Sequence, residues 1–135
     1  TDNNQELMDA FLIGRAAISN DDLTTRDDAI VTVRNVWENV SAAAAIHYLN
    51  DAAESFDDVA VRLHTLSEAL AFIYSLQFNE GKTRTNDEIN AHLTNLATTS
   101  DVTAFDLTGI TSETILSVRD AMATEYGLDS VKENL

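Results

Sequence analysis

Apolar residues are densest in the second half of a segment that extends from Asp58 to Phe78. From Ala69 onward this segment is apolar around nearly its whole circumference, so a helix built from it must be covered on several sides. The pattern therefore predicts a central buried helix over residues 58–78, around which the rest of the chain is arranged.

Two segments before this helix repeat apolar residues at intervals of three and four, which is typical of amphipathic helices. The first extends from about Asn4 to Ser19, and Gly14 within it would let a neighbouring helix approach closely. The second extends from Arg26 to about Ala53 and is expected to be capped by Thr24 or Thr25. The predicted buried stripes are Leu7, Phe11, Gly14 and Ile18 in the first helix, and Ile30, Val33, Trp37, Val40, Ala44 and His47 in the second.

Two shorter helices are predicted after the central one. Thr85 and Glu88 have the spacing of a capping box that opens a helix through Leu96. Thr111 or Ser112 caps a last helix that ends at Gly127, and residues 98–109 between the two form a linker that tucks against the bundle. The chain has no proline and 135 residues, so we predict one all-α domain over residues 1–135, an up-and-down bundle of four or five helices.

The short connection around Phe56 predicts that the second and central helices are antiparallel neighbours, with Ser55 as the cap of the central helix. His47 lies nine residues before Phe56 and His64 eight residues after it. Because residues at equal distance from a turn lie at equal height, the two imidazoles are expected to meet.

Charge and composition exclude several classes of function. The chain has 23 acidic and 8 basic residues and a net charge of -15, which disfavours binding to nucleic acid and to anionic membranes. It has no cysteine, so it forms no disulfide, and its longest apolar run is far too short to cross a membrane. A serine-hydrolase elbow, a phosphate-binding glycine loop and the paired motifs of di-iron bundles are all missing from the sequence.

His47, His64 and Glu68 are the candidate site. Glu68 follows His64 by one helical turn, so both side chains project from the same side of the central helix. Two imidazoles and a carboxylate make a three-ligand set for zinc, iron or copper with an open position. The alternative is structural, with satisfied bundle histidines and Glu68 paired with Arg15, Arg34 or Arg62. His92 is expected on the surface of its short helix.

Three runs resemble a family of exported bacterial helical proteins related to imelysin: Leu12–Ile18 (LIGRAAI), Ala44–Leu49 (AAIHYL) and His64–Leu76 (HTLSEALAFIYSL). The resemblance covers about the first two thirds of the chain. It implies a helical bundle that is periplasmic, associated with the outer membrane or secreted. It also implies that these residues are the C-terminal part of a longer protein with a preceding domain. The imelysin motif Gly-x-His-x-x-Glu is altered here, since Arg62 replaces the glycine and the glutamate comes one residue later, so peptidase activity does not transfer.

The sequence therefore predicts a non-enzymatic binding protein of the cell envelope. In this reading His47, His64 and Glu68, together with Arg15, bind a metal ion such as zinc or iron, or a small ligand that bears an anionic group. One alternative is a zinc-dependent peptidase-like enzyme in which Glu68 is a ligand or a base. The other alternative is an interaction domain without a small-molecule site.

Overall fold

The computed structural model describes residues 2–135, which form five α-helices and no strand. Short 3₁₀ turns follow the third helix at Leu76–Phe78 and lie in the C-terminal tail at Lys132–Asn134. The predicted all-α bundle is confirmed. The helices are α1 (Asn3–Ser19), α2 (Leu23–Glu54), α3 (Val59–Ser75), α4 (Asn86–Ala97) and α5 (Ser112–Glu125).

The helix that organises the bundle is α2. It has 32 residues, a length of about 48 Å, and it contacts α1, α3 and α5. The sequence placed this role on residues 58–78 instead. That segment does form α3 and the following turn, and α3 buries Leu66, Ala69 and Ile73, but α2 has more neighbours because it is nearly twice as long.

The predicted buried stripe of α2 is wrong over most of its length. Ile30, Trp37, Val40 and His47 are all exposed. Four of the nine buried residues of α2 are alanines, which the three-and-four pattern of large residues passes over, and the larger buried residues Val36, Ile46 and Leu49 do not belong to the predicted stripe. The buried residues are Ala29, Val36, Glu38, Ala42, Ala45, Ile46, Leu49, Asn50 and Ala52.

Aspartates cap the two long antiparallel helices. The Asp22 side chain accepts a hydrogen bond from the Thr25 backbone N–H, which lowers the pKa of Asp22, and Asp58 accepts from the N–H groups of Ala60 and Val61. The predicted caps are therefore wrong for both helices. Asp22 caps α2 in place of Thr24 or Thr25, and Asp58 caps α3 in place of Ser55. The predicted capping box of α4 and the predicted Thr111 cap of α5 are confirmed.

Within residues 2–135, α1 contacts α2 and no other helix. Ala10 and Ala17 are its buried residues, and a Cβ atom at Gly14 would lie 3.3 Å from the Cβ of Ala29, so the predicted close approach at Gly14 is confirmed. Phe11 and Ile18, which were expected to be buried, are exposed. Because small residues make the contact, the large side chains of α1 remain at its edges.

The main core lies among the second half of α2, α3, α4 and α5. Phe105 and Leu107 of the segment between α4 and α5 pack against it as predicted, whereas Val102 is exposed. No helix of the described chain is long and apolar enough to cross a membrane. The chain thus has a packed body of four helices and an additional helix, α1, attached to one end of α2.

Candidate functional site

The predicted metal ligands lie near the surface. His47 is exposed, and its Nε2 atom is 3.4 Å from a carboxylate oxygen of Asp51. His64 is exposed and Glu68 is half-buried on α3. Among residues 2–135, no group of three or more His, Cys, Asp or Glu side chains is arranged to hold a metal ion. A metal-binding role for His47, His64 and Glu68 therefore stays a prediction from the sequence.

The arginines expected as alternative partners of Glu68 have other positions. Arg62 donates a hydrogen bond of 2.5 Å to the carbonyl oxygen of Phe56 and lies 4.4 Å above the Phe56 ring. Arg34 pairs with Glu80 at 3.2 Å. Arg62 thus fixes the turn between α2 and α3, and Arg34 is held beside the loop that follows α3.

His92 was expected on the surface, and this expectation is wrong. The residue is buried, and its Nε2 atom lies 2.8 Å from a carboxylate oxygen of Glu125 on α5. The Arg84 guanidinium donates to the backbone carbonyl of Glu125. The sequence signal was present, because His92 follows Ile89 by three and precedes Leu96 by four, on the apolar side of α4.

Tyr126 lies beside this His–Glu pair at the end of α5. Burial of the phenol and the negative charges of Glu38 and Glu125 raise the pKa of Tyr126 to about 12. Its hydroxyl group is buried and has no hydrogen-bond partner among residues 2–135. The neutral phenol is therefore the form that the folded chain accommodates.

We predict that Tyr126 makes folding sensitive to alkaline pH. The phenol ionises near pH 10 in the unfolded chain and near pH 12 in the folded chain. Its contribution to the free energy of unfolding is therefore fully present below pH 10 and is lost as the pH rises towards 12. In Tyr126→Phe this loss should be smaller, with unchanged or higher stability at pH 7 because the unpaired hydroxyl is gone. Urea unfolding at pH 7 and at alkaline pH measures both effects. Tyr48→Phe is the matched control. If that variant reduced the alkaline loss of stability as much as Tyr126→Phe does, the loss could not be assigned to Tyr126.

A groove runs between α1 and the first half of α2, and we call it the hairpin groove. It encloses about 370 Å³. Small residues form its floor, large apolar residues form its walls, and the only charged side chains along it in the described chain are Arg15 and Arg26. In a chain with 23 acidic residues, a groove with two arginines and no carboxylate is a local exception. The lining residues are Ala10, Phe11, Gly14, Arg15, Ile18, Ser19, Arg26, Ala29 and Ile30.

A second cavity of about 500 Å³ lies between α2 and the 3₁₀ turn after α3, and we call it the Trp37 pocket. Trp37 is 62% exposed and Phe78 is 70% exposed, so two aromatic rings at this pocket are open to solvent. The Phe78 ring packs edge-on against Tyr74 at 5.1 Å. The lining residues are Val33, Arg34, Trp37, Glu38, Ser41, Ser75, Leu76, Phe78, Asn79 and Glu80.

The hairpin groove and the Trp37 pocket lie along the same side of α2. Ile30 lines the groove, Val33 and Trp37 line the pocket, and spacings of three and four place all three on one face of the helix. These are residues of the stripe that the sequence predicted as a buried seam. The pattern therefore identified a real apolar stripe, which this chain leaves uncovered.

The comparisons with known proteins give one match. Residues 1–129 match the family described as a domain of unknown function, DUF4856. Neither the curated proteins nor the solved structures gave a match.

Proposed function

This chain belongs to the DUF4856 family, and we propose that it is a non-enzymatic binding domain that docks a helix of a partner protein in the hairpin groove. The observation that carries the proposal is the row of exposed large apolar side chains on one side of α1 and α2. Phe11 is 59%, Ile18 62% and Ile30 42% exposed. A contiguous apolar surface of this kind typically marks an interaction site.

The shape of the groove favours a helix as the occupant. Ala10, Gly14 and Ala29 leave a floor without bulk, so another helix can approach the backbones of α1 and α2 closely. Phe11 and Ile18 on one wall and Ile30 on the other would flank it. This is the helix-in-groove mode, in which an amphipathic helix lays its apolar stripe between two helices and presents its flanks to the rims.

The charges at the rim favour a partner helix with acidic flanks. Arg26 pairs with Asp27 at 2.6 Å, whereas Arg15 forms no ion pair within residues 2–135. A second copy of this chain is a poorer occupant. A two-fold contact would place this arginine-bearing patch against the same patch of the other copy, and each copy carries a net charge of -15.

The proposal also places the domain in the bacterial cell envelope. This location is supported by the similarity of residues 12–18, 44–49 and 64–76 to imelysin-like exported proteins. The geometry of the groove is independent of where the protein resides. Fractionation of cells that express the natural protein tests this part separately. Recovery in the cytosolic fraction alone would contradict the envelope location and leave the groove proposal unaffected.

Two designed helical peptides test the groove directly. Both carry the same leucine stripe, and one has glutamates at its flanks where the other has lysines. By isothermal titration at about 0.15 M salt we expect the glutamate peptide to bind roughly tenfold more tightly, since a screening length of about 8 Å leaves the nearby arginine rim in effect and suppresses repulsion from the net charge of -15. Arg15→Glu should remove this preference. Lys82→Glu, the same charge reversal in the loop before α4, should retain it.

Two outcomes would overturn the proposal. Equal affinities of the two peptides for the unmodified chain would show that the arginine rim does not select the partner. Concentration-dependent self-association in sedimentation, if it is abolished by Phe11→Ser, would show that the groove is covered by a second copy of the chain.

A further inference from the structure

The Trp37 pocket is lined by a buried carboxylate, Glu38, that has no ion-pair partner in the part of the chain that the structure describes. Glu38 is 4% exposed, and none of the ion pairs among residues 2–135 includes it. Its carboxylate accepts hydrogen bonds from Asn79 Nδ2 at 2.6 Å, from the Thr83 backbone N–H at 2.9 Å and from the Thr83 hydroxyl at 2.8 Å. All three donors are neutral. A buried carboxylate normally has a cation as partner.

The walls of the same pocket suit a cation with an apolar stem. The indole of Trp37 and the ring of Phe78 are exposed to solvent at the pocket, and the faces of aromatic rings attract cations. Val33 and Leu76 supply apolar lining. Arg34, the one basic residue that lines the pocket in the described chain, is paired with Glu80 at 3.2 Å and forms no ion pair with Glu38.

We propose that the Trp37 pocket binds an alkylammonium group. Oε1 of Glu38 accepts two hydrogen bonds and Oε2 accepts one. Because a carboxylate has about four acceptor positions, one remains, on Oε2. A single N–H of an ammonium group fills one position, whereas the parallel pair of N–H groups of a guanidinium would need two. The alkyl stem then lies between the rings of Trp37 and Phe78.

The ammonium group can belong to a free amine or to a lysine side chain of a protein, and the chemistry of recognition is the same for both. This inference does not depend on the hairpin groove, because it concerns other residues and a ligand of opposite charge. Each proposal can therefore fail without the other.

Trp37 itself provides the readout, since it is the single tryptophan of the chain. The probes are butylammonium, Nα-acetyl-lysine amide, the same lysine amide acetylated on Nε, and neutral butanol. We expect saturable fluorescence changes with the first two probes, with dissociation constants of about 1 mM, as is reasonable for ligands of this size. The two neutral probes should give no saturable change. Tighter binding of the lysine amide favours a protein side chain, and tighter binding of butylammonium favours a free amine.

Two variants localise the binding. Glu38→Gln keeps the size of the side chain and removes its charge, and it should weaken butylammonium binding roughly tenfold. Phe78→Ala changes a residue that is 70% exposed, so the fold is retained, and it should weaken binding about threefold. Phe11→Ala is the control, because it removes an exposed phenylalanine outside the pocket. Equal responses to charged and neutral probes, or equal affinity in Phe78→Ala and Phe11→Ala, would overturn the proposal.

Discussion

Replacement of Ile46 by alanine is expected to lower the free energy of unfolding by about 2–5 kcal/mol, the usual cost of a cavity in a packed core. Ile46 lies on α2 with 0% exposure and belongs to the core that α2 forms with the other helices of the body. The same replacement at Ile30, which is 42% exposed on the same helix, should cost about 0.5 kcal/mol or less. Urea unfolding monitored by circular dichroism measures both values.

This pair of variants tests which side of α2 is packed in the folded chain, the side of Ile46 or the side of Ile30. The chemical change and the host helix are identical, so intrinsic helix propensity cancels in the comparison. If Ile30→Ala cost as much as Ile46→Ala, the stripe through Ile30, Val33 and Trp37 would be buried in the isolated chain, and no open groove would exist.

Replacement of Arg119 by alanine should cost about 2–3 kcal/mol, because it removes several charge-assisted hydrogen bonds from a buried guanidinium. Arg119 lies on α5 and donates to Asn50 Oδ1 at 3.1 Å, to Glu133 Oε2 at 3.1 Å and to Asp120 Oδ1 at 2.8–3.0 Å. Hydrogen bonds from the Lys132 ammonium and from Arg119 hold the pKa of Asp120 below its usual range. The variant should therefore also loosen the C-terminal tail.

Arg34→Ala is the matched control for this prediction. Arg34 pairs with Glu80 at 3.2 Å, but both side chains are largely exposed, and an exposed ion pair contributes about 0–1 kcal/mol. Urea unfolding gives the two losses, and the susceptibility of residues 127–135 to limited proteolysis reports on the tail. If Arg119→Ala lowered the free energy of unfolding no more than Arg34→Ala does, the network of Asn50, Arg119 and Glu133 would not hold the tail.

The elements of the fold could be predicted because their signals are local. The capping box at Thr85 and Glu88 and the glycine at position 127, which has φ +68°, determine helix ends by neighbouring residues alone. The buried side of α2 could not be predicted in this way. Its neighbours are α1, α3 and α5, and four of its nine buried residues are alanines. The repeat of large apolar residues therefore marked the stripe through Ile30 and Trp37, not the side on which Ile46 and Leu49 are buried.

The candidate sites depend even more on tertiary structure. Glu38 and Thr83 are 45 residues apart in the sequence, and His92 and Glu125 are 33 apart, and no local pattern joins either pair. The antiparallel packing of α2 and α3 could be anticipated from the short turn at Phe56. The direction in which the His47 and His64 side chains point could not be anticipated. Two residues at equal height on neighbouring helices can still face different ways, because the turn does not fix the rotation of each helix about its axis.

Hydrogen exchange measured by mass spectrometry, with and without the glutamate-flanked peptide, shows whether the hairpin groove is a docking surface. We expect slower exchange in α1 and in residues 23–37 of α2, because the bound helix would stabilise the packing of α1 against α2, its one helical neighbour in the described chain. Exchange in α4 and α5 should not change. Protection spread over α4 and α5, or none in α1, would show that the peptide does not dock in the hairpin groove.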